Sequence, residues 1–421
     1  MGILLQEVTL FRQEKGLWDV LIVNDEITAI APNLPESDHL VIPGQAKLLV
    51  PGFVDLHTHL REPGFTAKET IASGTLAAAK GGYVRVCAMP NTLPPPDTPE
   101  QVRALRQLIT AQAHIPVEII GAATKQRAGI NASNAADLGL AGVVALSDDG
   151  SGIQNQQVLE TVLQQCRQAD LPYFSHCEDA QLSQDGIFAN TIPAESEFLP
   201  LSRELNLVQK TGARYHLCHV STHQGVALIQ EAKEQGLAVT VEVTPHHLVL
   251  NAEEITEWTG LYKVNPPIRS PQDQAALIAG LKDGVIDCIA TDHAPHTQAE
   301  KDQPPAEAPF GFSGIELAFP LLYTELVLTG KIALAPILTA LILKPRQLIR
   351  LPQPSLGLQV GEPANLTLID LATAQTVNNA NMVSQGKNTP FLGKKLYGWP
   401  ILTVVTGKIV WHKEGVFHAE L

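Results

Sequence analysis

The chain has 421 residues, 45% of them hydrophobic and 17% charged, which gives ample apolar mass for a large buried core. Its formal net charge of −14 argues against nucleic acid or an anionic membrane surface as a partner, although a local site can oppose the global sign and take an anionic substrate. The five cysteines, Cys87, Cys166, Cys177, Cys218 and Cys288, are odd in number, scattered and without a CxxC pair, a pattern expected of reduced thiols in the cytoplasm.

The N-terminal residues lack the basic and long apolar regions of a secretory leader. No apolar run approaches the roughly 18 residues of a membrane span. Residues 3–50 contain VTLF, DVLIVND and EITAIAP, short alternating strands separated by turn residues. From about 50 to 330 the pattern changes. Eight short apolar runs, at 54–60, 83–90, 117–124, 143–149, 172–179, 214–220, 239–245 and 288–293, alternate with helix-like stretches such as 68–80, 99–112 and 156–169. Strands alternating with helices imply a parallel sheet. Eight such units, with no glycine-rich phosphate loop after an early strand, predict a closed (β/α)8 barrel rather than a doubly wound sheet. Residues 298–309 are polar and proline-rich and follow the eighth run, so they are expected to form a loop over the barrel mouth. Residues 364–377 and 401–417 return to short strands, with a hairpin at Thr406-Gly407-Lys408. The fold expected is an α/β (β/α)8 barrel over 51–345 with a small β-sandwich domain built from both termini, 1–50 and 346–421.

The candidate chemistry begins at Val54-Asp55-Leu56-His57-Thr58-His59-Leu60-Arg61. On a strand, positions i and i+2 point to the same face, so His57 and His59 form a metal clamp, and Arg61 can hold an anionic substrate beside it. An HxH pair alone is short enough to arise from two unrelated surface histidines. Four further candidates fall at predicted strand ends: Asp149 in Ser147-Asp148-Asp149-Gly150, His176 in Ser175-His176-Cys177-Glu178-Asp179, His219 in Cys218-His219-Val220-Ser221-Thr222, and Asp292 in Thr291-Asp292-His293. In a (β/α)8 barrel these ends converge on one mouth, where such barrels place their active sites. A single strand-end histidine or aspartate usually makes a structural hydrogen bond. Six of them on five strands at one end form a nitrogen and oxygen donor set suited to zinc or a similar divalent ion. Two ions about 3.5–4 Å apart could share a bridging carboxylate. His246 and His247, at the end of the seventh run, read as supporting residues rather than ligands. His216 and His223 give no distinct signal.

Taken in order, DxHxHLREPG, MPNT, SDDG, HCED, HVST, TPHHL, KVNPPIR and TDHAPH resemble the dihydroorotase family of the amidohydrolase superfamily, and most of all the bacterial type with SDDG at the fourth strand. The resemblance spans about residues 45–320. It implies that His57, His59 and Asp292 hold one metal and that His176 and His219 hold a second. Asp149 then bridges where related hydantoinases carry a carboxylated lysine, with Asp148 as the rival bridge. It also implies that Arg61, Asn91 and His296 bind a substrate carboxylate. Asn265 contacts the ring edge, and Phe310 and Gly311 offer backbone groups.

The activity implied is the reversible closure of N-carbamoyl-L-aspartate to dihydroorotate with loss of water, in pyrimidine biosynthesis. It would use one or two Zn2+ per chain, a metal-activated water and Asp292 as proton carrier. A homodimer is implied, with aspartate carbamoyltransferase as an optional partner. Two alternatives stand beside this. One is a hydantoinase or allantoinase, expected to carry a lysine at the fourth strand and to lack the Arg61–Asn91 clamp. The other is an inactive scaffold for aspartate carbamoyltransferase, expected to have lost ligands. The chain departs from the family pattern in its second strand, where Arg85 is expected to face outward, and in a shortened segment at 180–200.

Overall fold

The computed structural model describes residues 2–11, 16–184 and 186–413. The N-terminal part forms β1 (Ile3–Leu10), β2 (Trp18–Val23), β3 (Glu26–Ala31), β4 (Leu40–Pro43) and β5 (Leu48–Pro51). The next eight strands are β6 (Phe53–Thr58), β7 (Tyr83–Ala88), β8 (Val117–Ala122), β9 (Val143–Ser147), β10 (Tyr173–Ser175), β11 (Tyr215–Leu217), β12 (Val239–Val243) and β13 (Cys288–Ile289). They lie side by side in chain order and every neighbouring pair is parallel. A parallel bridge between Thr58 and His293 brings the segment after β13 back to β6. Asp55 strengthens that closure by accepting from the backbone N–H and hydroxyl of Thr291. The eight-stranded (β/α)8 barrel expected from the alternation is therefore present.

Alternation along the strands sorts side chains into two cores. Val54, Leu56, Cys87, Met89, Ile120, Ala145, Phe174, Cys218, Cys288 and Ala290 form an inner cluster, floored by Leu348 and Ile349. The opposite faces pack against the surrounding helices. The helix Gln156–Ala169 shows why these segments are helical. Its buried Leu159, Val162, Leu163 and Cys166 form one stripe, and the side chain of Asn155 caps its first turn. The helix Pro271–Asp283 starts with a capping box between Ser270 and Asp273, and proline occupies its first position.

Arg85 corrects the sequence reading. It shares the inward register of Cys87 and Met89 and pairs with Glu118 on β8 near the floor of the barrel. At that end the long side chain reaches the rim while its stem stays among strands. Buried Arg346 closes the same floor, donating to the carbonyls of Gly52 at 2.9 Å and Ile342 at 2.7 Å.

Both termini build the second sheet. It adds β14 (Leu366–Asp370), β17 (Trp399–Val405) and β18 (Lys408–His412) in the order β18-β17-β14-β5-β1-β2-β3, with β4 also on β1. β1 changes partners along its length, pairing through Ile3–Leu5 with β2 and β4 and through Thr9 and Leu10 with β5. The switch falls at a bulge around Glu7, which has φ 53°. The two halves wrap one apolar core that includes Leu5, Val20, Ile22, Leu366, Leu368 and Leu402. At the expected hairpin, Thr406 and Gly407 both have positive φ, as a two-residue turn between twisted strands requires. Residues 414–417 of the expected last strand lie outside the described residues.

Between β14 and β17 the chain leaves this sheet. β15 (Gln375–Thr376) pairs with β16 (Lys395–Leu396), and the intervening segment reaches the barrel mouth. There Gln385 N–H donates to Glu69, Ser384 N–H to Glu316, and His296 N–H to Asn388 Oδ1.

Candidate metal centre

The predicted ligands lie at one end of the barrel. Only His57 is inside a strand. His59, Asp149, His176, His219 and Asp292 each stand one to three residues beyond one, so the observed strands end earlier than the apolar runs suggested. Past the last ladder bond the backbone is free to turn, and it does so at His219 (φ 35°), Asp292 (φ 48°) and Arg61 (φ 62°). Non-glycine residues rarely occupy this left-handed region and do so where surrounding structure holds them, commonly at functional sites. Here the turn directs side chains inward over the mouth.

Asp149 sits at the middle of the cluster. Its Oδ1 lies 3.3 Å from His57 Nε2, 3.5 Å from His176 Nδ1 and 3.7 Å from His219 Nε2, and its Oδ2 lies 3.6 Å from His59 Nε2. Asp292 Oδ1 is 2.9 Å from His59 Nε2 and 3.5 Å from His57 Nε2. His176 Nδ1 and His219 Nε2 face each other at 3.0 Å. Asp148 points elsewhere: its carboxylate accepts from the backbone N–H of Thr124 at 3.0 Å and from the Thr124 hydroxyl. Among the described residues three groups bring their ligand atoms close enough to hold an ion, His57–Asp149–His219, His57–His59–Asp292 and His57–Cys218–Glu242, and the first two are made of predicted ligands alone. His57 Nε2 and Asp149 Oδ1 are buried and make no hydrogen bond. Buried polar atoms seldom stay unpaired, and a divalent cation among these atoms would satisfy both.

Three residues orient the candidate ligands. Glu242 Oε1 lies 2.7 Å from His57 Nδ1, and its Oε2 lies 3.0 Å from His216 Nε2. Glu178 Oε2 lies 3.2 Å from His176 Nε2. Asn91 Oδ1 lies 2.8 Å from His59 Nδ1. Each acceptor takes the proton of one ring nitrogen and turns the other nitrogen towards the cluster. Sequence reasoning missed Glu242, Glu178 and His216. Glu242 had a readable signal, since Thr240 and Glu242 alternate with Val239, Val241 and Val243 along β12 and a carboxylate on the inward face of a barrel needs a partner.

Burial alone would raise these carboxyls and lower these imidazoles, but mutual attraction overrides it at most positions. The charge on His57, with His176 and His219, holds Asp149 well below the usual carboxylate range. His57 likewise keeps Asp292 low and sets Glu242 at about 2. Asp149, Glu242 and Asp292 raise His57 well above its ordinary value, and Asp149 and Glu178 raise His176 to about 10. For His59 burial prevails and the value falls. The negative charge that keeps protons on His57 and His176 is the charge a divalent ion would neutralise, displacing those protons.

A cavity of about 130 Å³ opens beside the cluster, lined by His59, Arg61, Asn91, Asp149, His176, His219, Asn265, Asp292, Phe310 and Gly311 among others. His296 stands just behind, with Nε2 at 3.2 Å from Arg61 Nη2 and 2.8 Å from the Phe310 carbonyl. Arg61 Nε donates to the Pro295 carbonyl. Asn265 Nδ2 donates to both carboxylate oxygens of Glu178 at 3.1 Å. Gly311 has φ 107°, and a Cβ there would meet the Ala294 side chain at 2.5 Å, so the loop can close over the mouth only with glycine. The expected mouth loop is held by Lys301, which donates to the carbonyls of Pro309 and Gly311, and by Lys263, which donates to Ala306. His246 and His247 are buried and flank the site without entering any of the ion-holding groups found among the described residues. None of the five cysteines is in a disulfide. Among the described residues no helix is long and apolar enough to cross a membrane.

Comparison with known proteins agrees with this geometry. A family model described as Dihydro-orotase-like matches residues 46–225. The chain is 46% identical over 407 residues to a dihydroorotase of Geobacillus sp. (strain WCH70), covering 94% of this chain and 95% of the relative. It is 43% identical over 426 residues to a dihydroorotase of Anoxybacillus flavithermus, covering 98% and 99%. In fold it is similar to an L-hydantoinase (dihydropyrimidinase) from Arthrobacter aurescens, with TM-score 0.88, 24% identity and coverage of 99% of this chain and 97% of the other. A dihydropyrimidinase from Brevibacillus agri gives TM-score 0.85 at 22% identity, covering 99% and 96%. Sequence identity at this level over almost the whole length means that the chain belongs to the dihydroorotase family, within the cyclic amidohydrolases.

Proposed function

We propose that the protein is a zinc dihydroorotase, catalysing the reversible closure of N-carbamoyl-L-aspartate to (S)-dihydroorotate in pyrimidine biosynthesis. The observation that carries the reading is the position of Asp149 Oδ1 within 3.7 Å of three imidazoles, beside a cavity that Arg61 enters. His57, His59 and Asp292 would hold one Zn2+, His176 and His219 a second, and Asp149 both. When bound, the zinc lowers the pKa of a water towards about 7 and polarises the ring carbonyl. β9 carries no lysine, so no carboxylated lysine is needed as the bridge.

Asp292 borders the cavity and is an ionised carboxylate, so it can take a proton from the attacking water and pass it to the leaving amide nitrogen. Arg61 offers a planar fork to the substrate carboxylate, and burial lowers it only to about 10, so it stays charged at neutral pH. Asn91 supports His59 through Oδ1 and keeps its amide N–H groups for the same carboxylate. Asn265, positioned by Glu178, would meet the ring edge, and Phe310 and Gly311 would supply backbone groups.

The test is to measure zinc per chain and assay the loaded protein on dihydroorotate, dihydrouracil, hydantoin and allantoin. Dihydroorotate should be hydrolysed far faster than the others, because rings without the carboxylate leave Arg61 unpaired and such a site can discriminate by up to about 10⁴–10⁵. Equal turnover of dihydrouracil would move the protein to the hydantoinases. No turnover at full zinc loading would leave only a scaffold role.

A further inference from the structure

Lys68 lies behind the anion-holding side of the cavity, and none of the roles above uses it. Its Nζ is 3.2 Å from His296 Nδ1 and 2.9 Å from Glu300 Oε1. Glu300 is itself fixed by a capping box with Thr297. The other ring nitrogen of His296, Nε2, lies 2.8 Å from the Phe310 carbonyl and 3.2 Å from Arg61 Nη2. An ammonium donates and cannot accept, so Nδ1 facing Lys68 must present its lone pair. The single proton of the neutral ring then sits on Nε2, where it donates to the Phe310 carbonyl. Arg61 can also only donate. Facing an N–H, its Nη2 has no bond to His296 and keeps that proton for another acceptor. In the opposite tautomer a bare Nε2 would accept from Arg61 and consume it.

We infer that Lys68 is a positioning residue, locking His296 in the Nε2–H tautomer so that Arg61 keeps its Nη2 protons for the substrate carboxylate. The inference rests on the reading of Arg61 and His296 as the carboxylate site. The groups facing the ring support it. Arg61 and Lys68 are cationic, Lys301, lowered by burial to about 7, adds part of a charge, and Glu300, 3.9 Å from Nδ1, opposes them. Burial and these cations lower His296 to about 2, so the ring stays neutral and tautomer choice is all that remains.

The test uses zinc-loaded enzyme labelled with 15N-histidine, with His296 signals identified by their loss in His296→Gln. Long-range 1H–15N correlation should show neutral Nε2–H in the unmutated protein on both sides of neutrality. Lys68→Met should populate the Nδ1–H form, bring titration towards the ordinary value of about 6.5, and raise KM for dihydroorotate about tenfold at unchanged zinc content. Lys68→Arg should restore both tautomer and KM. An Nδ1–H ring in the unmutated protein would overturn the inference even if Lys68→Met failed to fold. So would a Lys68→Met protein with unchanged tautomer and KM. Arg61→Lys separates the two levels. If its KM is also unchanged, the carboxylate-site reading fails. If its KM rises while Lys68→Met is silent, only the tautomer lock fails.

Discussion

Oε1 of Glu242 lies 2.7 Å from Nδ1 of His57, a contact between residues 185 positions apart, at the centre of the barrel. The pair is fully buried, and the second carboxylate oxygen is taken by His216. Glu242 therefore fixes which nitrogen of His57 is protonated and turns Nε2 towards Asp149 and Asp292. Residues that orient a metal-binding histidine in this way typically contribute about 10–100-fold to metal affinity. Glu242→Gln should lower zinc affinity by that order, read by competition with a chelator of known affinity. Unchanged affinity would mean that His57 needs no external orientation.

The aspartates of SDDG should separate cleanly. Asp149→Ala removes the group that meets four imidazoles and should strip most zinc from the protein. Asp148→Ala instead leaves Thr124 without its acceptor and should cost about 1–3 kcal/mol of stability while zinc content stays near normal. Metal analysis and denaturant unfolding of both variants decide it, and the reverse order would reassign the bridge to Asp148.

Asp292→Asn keeps the shape of the side chain and removes its capacity to carry a proton. Losing a general acid–base group commonly lowers the rate by about 10²–10⁴, and weaker ligation adds to that. The expected outcome is a folded protein with kcat reduced at least to this extent. A kcat near the unmutated value with full zinc content would contradict the assignment.

Arg61→Lys should act on substrate rather than metal. Lysine retains the charge but loses the planar fork and the Nε bond to the Pro295 carbonyl. KM for dihydroorotate should rise while zinc per chain is unchanged, as measured by steady-state kinetics alongside metal analysis.

Zinc removal should lower stability as well as activity. An ion that binds the folded chain and not the unfolded one stabilises it by mass action, about 2.7 kcal/mol at one hundred times Kd. Chelated protein should unfold at a lower temperature than zinc-loaded protein, and added zinc should restore the difference. An unfolding temperature that does not respond to zinc would argue that the cluster does not bind it tightly.

The sequence alone determined the barrel, because parallel strands alternating with amphipathic helices leave a local periodic signature, and eight such units close on themselves. It also determined the six ligand candidates, because they fall at the ends of those apolar runs and the fold brings all such ends together. The motifs carried the family. What periodicity could not supply was decided by contacts distant in sequence. Asp148 and Asp149 are adjacent residues past the end of β9, where the two-residue alternation has lapsed, and the bond from Thr124 turns one away. Arg85 looked like an outward residue in an apolar strand, but Glu118 on the next strand lets it take the inward register at the barrel floor. Glu242, Glu178 and Lys68 acquire their positioning roles only when His57, His176 and His296 arrive beside them. A strand or helix is written in neighbours a few residues apart, whereas the tautomer of a histidine is set by whichever charge the closed barrel brings to its other nitrogen.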